Sequence, residues 1–86
     1  MISRTQRKTV VFSKPFLLKG VDRLLPAGDY RVMTDEALIE GTSFPVYRRV
    51  STMILVPAQW PQGSVEMVTI DPLDLRAAQD RDAAAS

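Results

Sequence analysis

A long strand pattern in this 86-residue chain lies in Ser43–Val56, which reads SFPVYRRVSTMILV. Alternate positions of the stretch are mostly apolar, which is the two-residue period of a strand with one buried side. From Met53 onward both sets of alternate positions are apolar, so the pattern predicts a central strand that is covered on both faces. Arg48 and Arg49 fall where the pattern is least apolar, and we interpret them as the solvated part of the strand.

Shorter strand patterns lie on both sides of this stretch. Three of them are rich in β-branched and aromatic residues: Thr9–Phe12, Phe16–Lys19 and Val65–Ile70. A further pair is separated by Pro26 and Gly28, which suit a bulged hairpin turn. The turn predicts that Asp22–Leu25 pairs with Asp29–Met33, in which Tyr30 would be buried.

Two segments carry the punctuation of helices. Thr34 can cap a helix that the left-handed residue Gly41 would end, which predicts one or two helical turns. Asp71 followed by Pro72 is the best helix start in the chain, because it places a capping carboxylate directly before a proline at the first helical position. The elements together predict a mainly β fold, a small β-barrel or sandwich of about five or six short strands with a short C-terminal helix.

The chain is long enough for one domain and one core. Residues 1–8 have no apolar period, and we expect them to form a flexible basic arm. Residues 9–79 are expected to form a single compact domain, and residues 80–86 are expected to be a frayed tail. Basic residues outnumber acidic ones in residues 1–23, although the net charge of the whole chain is only +1.

The sequence contains neither cysteine nor histidine. Their absence excludes Ser–His–Asp catalysis, thiol nucleophiles and metal centres built on histidine or cysteine. No phosphate-binding glycine loop is present, so the sequence predicts no cofactor, no metal site and no enzymatic activity. No apolar run reaches the roughly 18 residues that span a bilayer, and we expect a cytoplasmic protein that does not associate with membranes.

The leading functional hypothesis is a non-catalytic protein-binding or scaffolding module. Trp60 lies in the loop PAQWPQG, and tryptophan is enriched at binding hot spots, so Trp60 is a candidate anchor for a partner. The alternative for Trp60 is a structural role in which the loop folds back and the ring covers one end of the core. Tyr47 is the second candidate contact. The partner would be another protein or a second copy in a homo-oligomer, which would supplement a core of this size.

An alternative hypothesis is nucleic-acid binding by a small β-barrel. Lysine and arginine side chains would contact phosphates while Tyr47 stacks on a base; the candidate residues are Arg4, Arg7, Lys8, Tyr47, Arg48 and Arg49. A third hypothesis is a cation site or small enzyme that uses Asp35, Glu36 and Glu40, because a helix would place the two glutamates on one side.

Four strings in the chain, LPAGDYRV, TDEALIEG, YRRV and IDPLDL, resemble small bacterial proteins of the proteobacterial kind whose function is not assigned. The resemblance covers most of residues 10–82. It implies a bacterial origin and transfers no site residue.

Overall fold

The computed structural model describes residues 3–39, 41 and 43–85. The described chain forms strands β1 (Ser3–Phe12), β2 (Gly28–Ile39), β3 (Val46–Pro57) and β4 (Val65–Ile70), followed by helix α1 (Pro72–Ala84). The strands form one antiparallel sheet in the order β1-β2-β3-β4. The predicted mainly β class and C-terminal helix are therefore confirmed.

The sheet is open, and the predicted barrel or sandwich of five or six strands is wrong. β1 and β4 lie at opposite edges of the sheet, and they do not pair within the described part of the chain. Of the strands predicted between residues 16 and 25, only an isolated bridge between Phe16 and Leu25 is present. This segment lies across the sheet as irregular chain, because four of its apolar side chains are buried in the core, whereas Leu17 and Leu24 are exposed; the buried four are Phe16, Leu18, Val21 and Leu25.

One face of the sheet, the packed face, carries the core. Its buried side chains come from neighbouring strands and lie opposite one another, as in the pairs Val10↔Tyr30 and Val32↔Ile54. The segment 13–27 and the buried Leu75 and Ala78 of α1 cover these side chains. The rings of Phe12, Phe16 and Tyr30 form an aromatic cluster in which the two phenylalanines stack and the tyrosine contacts both edge-on.

The other face of the sheet, the open face, consists of the alternate residues of the same strands. On β3 these include Met53 and Leu55, which are half-buried, while their neighbours Ile54 and Val56 on the packed face are 0% exposed. β3 is a central strand as predicted. The prediction that β3 is covered on both faces is wrong, because the segment 13–27 and α1 both pack on the same side of the sheet.

Three strands continue beyond the core as a flat extension, formed by residues 3–8, 33–39 and 46–51. None of the described residues of this extension is buried. Its length explains why the radius of gyration is 15.1 Å, whereas a compact chain of this size would have about 12 Å. The extension therefore exposes both of its faces.

A register shift separates the extension from the core between β2 and β3. Asp35 pairs with Ser51, whereas the next residue Glu36 pairs with Arg49, so Val50 has no partner on β2. Such a bulge adds one residue to one strand and reverses which alternate residues of that strand face each side. Tyr47 and Arg49 consequently lie on the same side of the sheet as Ile54.

The predicted helix from Thr34 to Gly41 is wrong, because this segment belongs to β2 as far as Ile39. Thr34 pairs with Gln6 of β1 on one side and with Thr52 of β3 on the other. The strands on both sides supply hydrogen-bond partners for the backbone groups of this segment. A helix of one or two turns would leave most of its backbone N–H and C=O groups without a partner inside the helix.

The segments expected to be a flexible arm and a frayed tail belong to regular elements in the structure. Ser3 to Lys8 are part of β1 and are paired residue by residue with β2, although their side chains are all exposed. α1 extends to Ala84. Near the end of this helix, Asp82 accepts hydrogen bonds from the backbone N–H groups of Ser13 and Lys14 at 3.0 Å each. No described helix is long and apolar enough to cross a bilayer.

The tight hairpin predicted at Pro26 and Gly28 is absent. β2 begins at Gly28 and pairs with β1, from which it is separated by the segment 13–27, while Leu25 pairs with Phe16. The predicted alternation within β2 is confirmed, since Tyr30 and Val32 are buried and the residues beside them are more exposed. The periodicity of β2 therefore predicted which of its side chains are buried, but the turn residues did not predict which strand pairs with β2.

Candidate functional site

The open face carries apolar side chains in the middle of the sheet. Met33 of β2 lies directly opposite Met53 of β3, and Leu55 of β3 lies opposite Met67 of β4. Met67 is 54% exposed, and Val65, two residues earlier on β4, is 68% exposed. No described segment of the chain packs over these residues. The middle of the open face thus carries an apolar strip that is accessible from solvent. It is formed by Met33, Met53, Leu55 and Met67, and Val65 extends it along β4.

Polar and charged side chains surround this apolar strip on the same face. On β2, Met33 lies midway between Arg31 and Asp35, two residues from each. Asp35 is held in place by hydroxyl donors, since Thr5 Oγ1 donates to Oδ1 at 2.7 Å and Ser51 Oγ donates to Oδ2 at 3.4 Å. An apolar centre with a polar rim is the usual anatomy of a protein-binding surface.

A cleft of about 460 Å³ adjoins the apolar strip. It forms because the described pairing between β2 and β3 begins only at Val32↔Ile54, so that Gly28–Arg31 and Leu55–Pro57 separate. The hydroxyl of Tyr30 donates to the carbonyl of Pro26 at 2.5 Å at the cleft wall, and burial raises the pKa of this phenol above its ordinary value of 10.0. The cleft therefore has a fixed wall and a mostly apolar lining.

Trp60 lies in the loop between β3 and β4, and its side chain is 82% exposed. The loop is held by hydrogen bonds from the Ala58 N–H to the Ser64 carbonyl at 2.9 Å and from Ser64 Oγ to the Pro61 carbonyl at 2.6 Å. The Trp60–Pro61 peptide bond is cis. The ring is displayed to solvent by an internally bonded loop, and it does not cover the core as the structural alternative required.

The residues predicted for nucleic-acid binding lie on two sides of the sheet. Four of them are on the packed-face side, where strand alternation and the bulge at Val50 bring them together: Arg4, Lys8, Tyr47 and Arg49. The other two, Arg7 and Arg48, lie on the open face, where they are opposite Met33 and Ala37 respectively. A single nucleic-acid strand cannot follow both sets, so the structure does not assemble the predicted site.

The ring of Tyr47 is already occupied on one face. The guanidinium carbon of Arg4 lies 3.8 Å from the ring centroid, and Arg4 Nε also donates to Glu36 Oε1 at 2.9 Å. Arg4 on β1 and Tyr47 on β3 lie on the same face with β2 between them, so the long arginine side chain crosses β2 beside Glu36 to reach the ring. The face of the ring that would stack on a base beside Arg4 is therefore used within the chain.

The carboxylates predicted to form a cation site do not converge. Asp35 and Glu36 are neighbours in a strand rather than a helix, so Asp35 faces Thr5 on one side and Glu36 faces Arg4 on the other. Glu40 lies outside the described residues. Across the described ranges, no group of three or more acidic, histidine or cysteine residues could hold a metal ion.

Sequence reasoning missed the apolar strip of the open face. The pattern assigns Met53 and Leu55 to a strand covered on both sides, because apolar residues at all positions normally indicate such a strand. The signal that could have separated the two cases is one methionine on each of three strands, Met33, Met53 and Met67, since methionine is common on adaptable binding surfaces. The loop of Trp60 identifies this residue as a candidate, and its exposure in the structure is consistent with that role.

No protein-family model matches this sequence, and neither a curated protein nor a solved structure matches it. The resemblance to small bacterial proteins remains an expectation from the sequence.

Proposed function

We propose that this chain is a non-catalytic protein-binding module that uses the open face of its sheet. The observation that carries the proposal is the strip formed by Met33, Met53, Leu55 and Met67, which lies at the centre of the sheet without a covering layer among the described residues. Sheets normally bury their apolar side against a second layer, and here the described chain supplies that layer on the packed face alone. A partner that covers the strip would remove this apolar area from water.

Trp60 gives this surface an anchor at one end. The β3–β4 loop follows the last pair of the two strands, Pro57↔Val65, so the loop continues the strands that carry Leu55 and Met67. Large aromatic side chains on a loop of fixed conformation contribute much binding energy at a small cost in conformational entropy. Trp60 and the apolar strip therefore suit the same partner.

Nucleic-acid binding is not the function that this geometry favours. Only four of the six predicted residues share a side, and Arg4 among them is paired with Glu36. We expect titration with single-stranded and double-stranded oligonucleotides to leave the backbone amide signals of Tyr47 and Arg49 unchanged at physiological salt. A shift of both signals that weakens steeply with salt would favour the phosphate-binding alternative.

Site-specific photo-crosslinking tests the proposal in cells that produce the chain. A photoreactive phenylalanine analogue is placed at Met53, at Trp60 or, as the matched control, at Arg76, which is exposed on α1. We expect covalent protein adducts of defined mass from the first two positions and none from the third. The proposal fails if Met53 and Trp60 give no more adduct than Arg76.

A further inference from the structure

We propose that the open face is covered by the open face of a second copy of this chain, in a twofold dimer whose axis passes over Met33 and Met53. This inference rests on the proposed protein-binding function and names its partner. The two sheets would form the sandwich that a single chain does not complete. Three features of the open face carry the inference: its area, its apolar centre and the order of its charges.

The area of the open face matches what a dimer requires. Strands spaced ~4.8 Å apart with a rise of ~3.3 Å per residue give four strands of this length a face of roughly 600–750 Å². A standard stable interface buries about 800 Å² from each partner. The open face alone reaches nearly that area, and the cleft lined by Leu55 and Val65 extends it.

The centre of the apolar strip, at Met33 and Met53, is placed to lie against itself. Because Met33 and Met53 are directly opposite each other, an axis perpendicular to the strands at this position sets both methionines against their own copies. Leu55 of one copy would then lie over Ser51 of the other, with the flexible methionine side chains filling the space between. Sheets that pack face to face do so at about 10 Å, which is the distance that such side chains span.

The order of charges on β2 selects this axis. Because Arg31 and Asp35 lie symmetrically about Met33, the axis sets Arg31 of each copy opposite Asp35 of the other. Moving the axis by one residue toward Gly28 would set Asp29 of one copy against Asp35 of the other. Moving it by one residue in the opposite direction would set Met33 of one copy against Asp35 of the other. The register through Met33 is the one of these three that pairs opposite charges.

The usual angle between packed sheets is compatible with this pairing. Aligned sheets cross at about 30°, which displaces a residue one repeat from the axis by only about 3–4 Å. An arginine side chain reaches across that displacement. The same axis brings Arg48 beside Asp29 of the second copy, which gives the exposed Arg48 an acidic neighbour. Arg7 would approach its own copy at the edge of the sheet, where solvent screens the repulsion.

Two charge-reversal variants test the register. In Arg31→Glu, each introduced carboxylate would face Asp35 of the copy, and in Asp35→Lys, each introduced ammonium group would face Arg31. Each of the two symmetry-related pairs should weaken the dimer by about tenfold. We therefore expect the dimer dissociation constant to rise roughly 100-fold in either variant.

An equal mixture of the two variants supplies the complementary test. In the mixed dimer, the introduced glutamate of one copy faces the introduced lysine of the other, and the second position keeps the original pair of Arg31 with Asp35. Both positions then carry opposite charges, so the dimer mass should return. Analytical ultracentrifugation measures the two variants and their mixture.

Controls separate this outcome from loss of the fold. Asp35→Asn retains an oxygen that accepts a hydrogen bond from Thr5 or Ser51, and it should weaken the dimer by roughly tenfold, through the loss of charge alone. Arg76→Glu, on the other side of the molecule, should leave the dimer unchanged. Circular dichroism should be the same for every variant.

The inference is overturned if the wild-type chain is monomeric at every concentration tested, or if it is a dimer that neither reversal weakens. It is overturned equally if the mixture stays monomeric. Crosslinks from Met53 to a different protein in a monomeric chain would refute the dimer and leave the proposed function standing. A monomer without crosslinks would refute both.

Discussion

Arg4 lies over the ring of Tyr47, with its guanidinium carbon 3.8 Å from the ring centroid, and joins the first strand of the sheet to the third. The same guanidinium group forms an ion pair with Glu36 on the strand between them, at 2.9 Å. The extension is held together by backbone pairing, by this three-residue contact and by the hydrogen bonds that Asp35 accepts from Thr5 and Ser51, because none of its described residues is buried.

Replacing Arg4 by alanine should lower the free energy of unfolding by about 1 kcal/mol, as expected for a cation–π contact and an ion pair at a partly exposed site. Arg4→Lys should recover part of the loss, because lysine keeps the charge without the planar group. Urea denaturation measures both.

Arg7→Ala is the matched control for this prediction. Arg7 is also an exposed arginine on β1, and it lies on the opposite side of the sheet from Tyr47. A loss of stability in Arg7→Ala equal to that in Arg4→Ala would show that general charge, and not the contact with Tyr47, is responsible.

The bulge at Val50 predicts an unusual tolerance to deletion. Without Val50, Ser51 and Arg49 become neighbours, and their partners Asp35 and Glu36 are already neighbours, so every described pair of β2 and β3 is kept. We expect the chain lacking Val50 to fold with a regular ladder, which cross-strand nuclear Overhauser effects between Asp35 and Ser51 would detect.

Deletion of Thr34 is the contrasting case. Thr34 pairs with Gln6 of β1 and with Thr52 of β3, so its loss would move one part of β2 by a single residue against both neighbours and exchange the residues of its two faces. We expect this variant to be unfolded or strongly destabilised. If both deletions behave alike, the register shift does not lie where the structure places it.

The sequence predicted those elements whose burial or punctuation is local. The alternation of Tyr30 and Val32 identified the buried side of β2, and Asp71 with Pro72 identified the start of α1 because the capping carboxylate and the proline act within one turn. Leu73 N–H donates to Asp71 Oδ1 at 2.8 Å, as a helix cap requires.

The sequence did not predict the β1 and β2 parts of the extension, because these strands are specified by their neighbours. Residues 3–8 have no apolar period to detect, as neither face of the extension is covered, and backbone pairing with β2 alone makes them a strand. Thr34 and Gly41 have helix-like punctuation, but pairing on two sides outweighs a weak local preference. Both errors come from interactions between residues that are distant in the chain.

The candidate site could be anticipated from the sequence only where its features are local. Trp60 was named as a candidate contact because of its loop, and its role in binding stays a prediction. The accessibility of Met53 and Leu55 depends on which side of the sheet α1 and the segment 13–27 cover, and no property of β3 itself encodes that choice.

Neighbouring residues of β3 should respond differently to truncation. Ile54→Ala removes a side chain that is 0% exposed, and it should cost about 2–5 kcal/mol of folding free energy through lost burial and the cavity left behind. Leu55→Ala removes a half-buried side chain from the open face and should cost less in an isolated monomer.

Chemical denaturation at two protein concentrations separates folding from association in this pair. If two copies pack through the open face, the effect of Leu55→Ala should depend on protein concentration, whereas Ile54→Ala should be destabilising at both. Equal losses at both concentrations would place Leu55 in the core.

Acid should release the end of α1 from the segment that follows β1. The pKa of Asp82 lies below its ordinary value of 3.8, mainly because the carboxylate accepts a hydrogen bond from the backbone N–H of Ser13. The Ser13 hydroxyl and the N–H and charge of Lys14 lower this pKa further, against a smaller opposing effect of burial. A carboxyl whose pKa is lower in the folded state stabilises the fold above its unfolded pKa, and this contribution is lost as the pH falls through the folded value. We therefore expect the contact to be present at neutral pH and to be lost below about pH 4. The protection of the Ser13 and Lys14 amides against hydrogen exchange, measured relative to the intrinsic rate at each pH, should decrease in that range.

Asp82→Asn should make those two amides exchange faster at neutral pH, because an amide oxygen accepts hydrogen bonds more weakly than a carboxylate. It should also remove the acid-dependent change that Asp82 causes. Asp80→Asn, an exposed carboxylate two residues earlier on α1, should leave the exchange of Ser13 and Lys14 at neutral pH unaltered. Amides in Asp82→Asn that exchange at the wild-type rate would mean that the side chain of Asp82 does not hold the helix end in place.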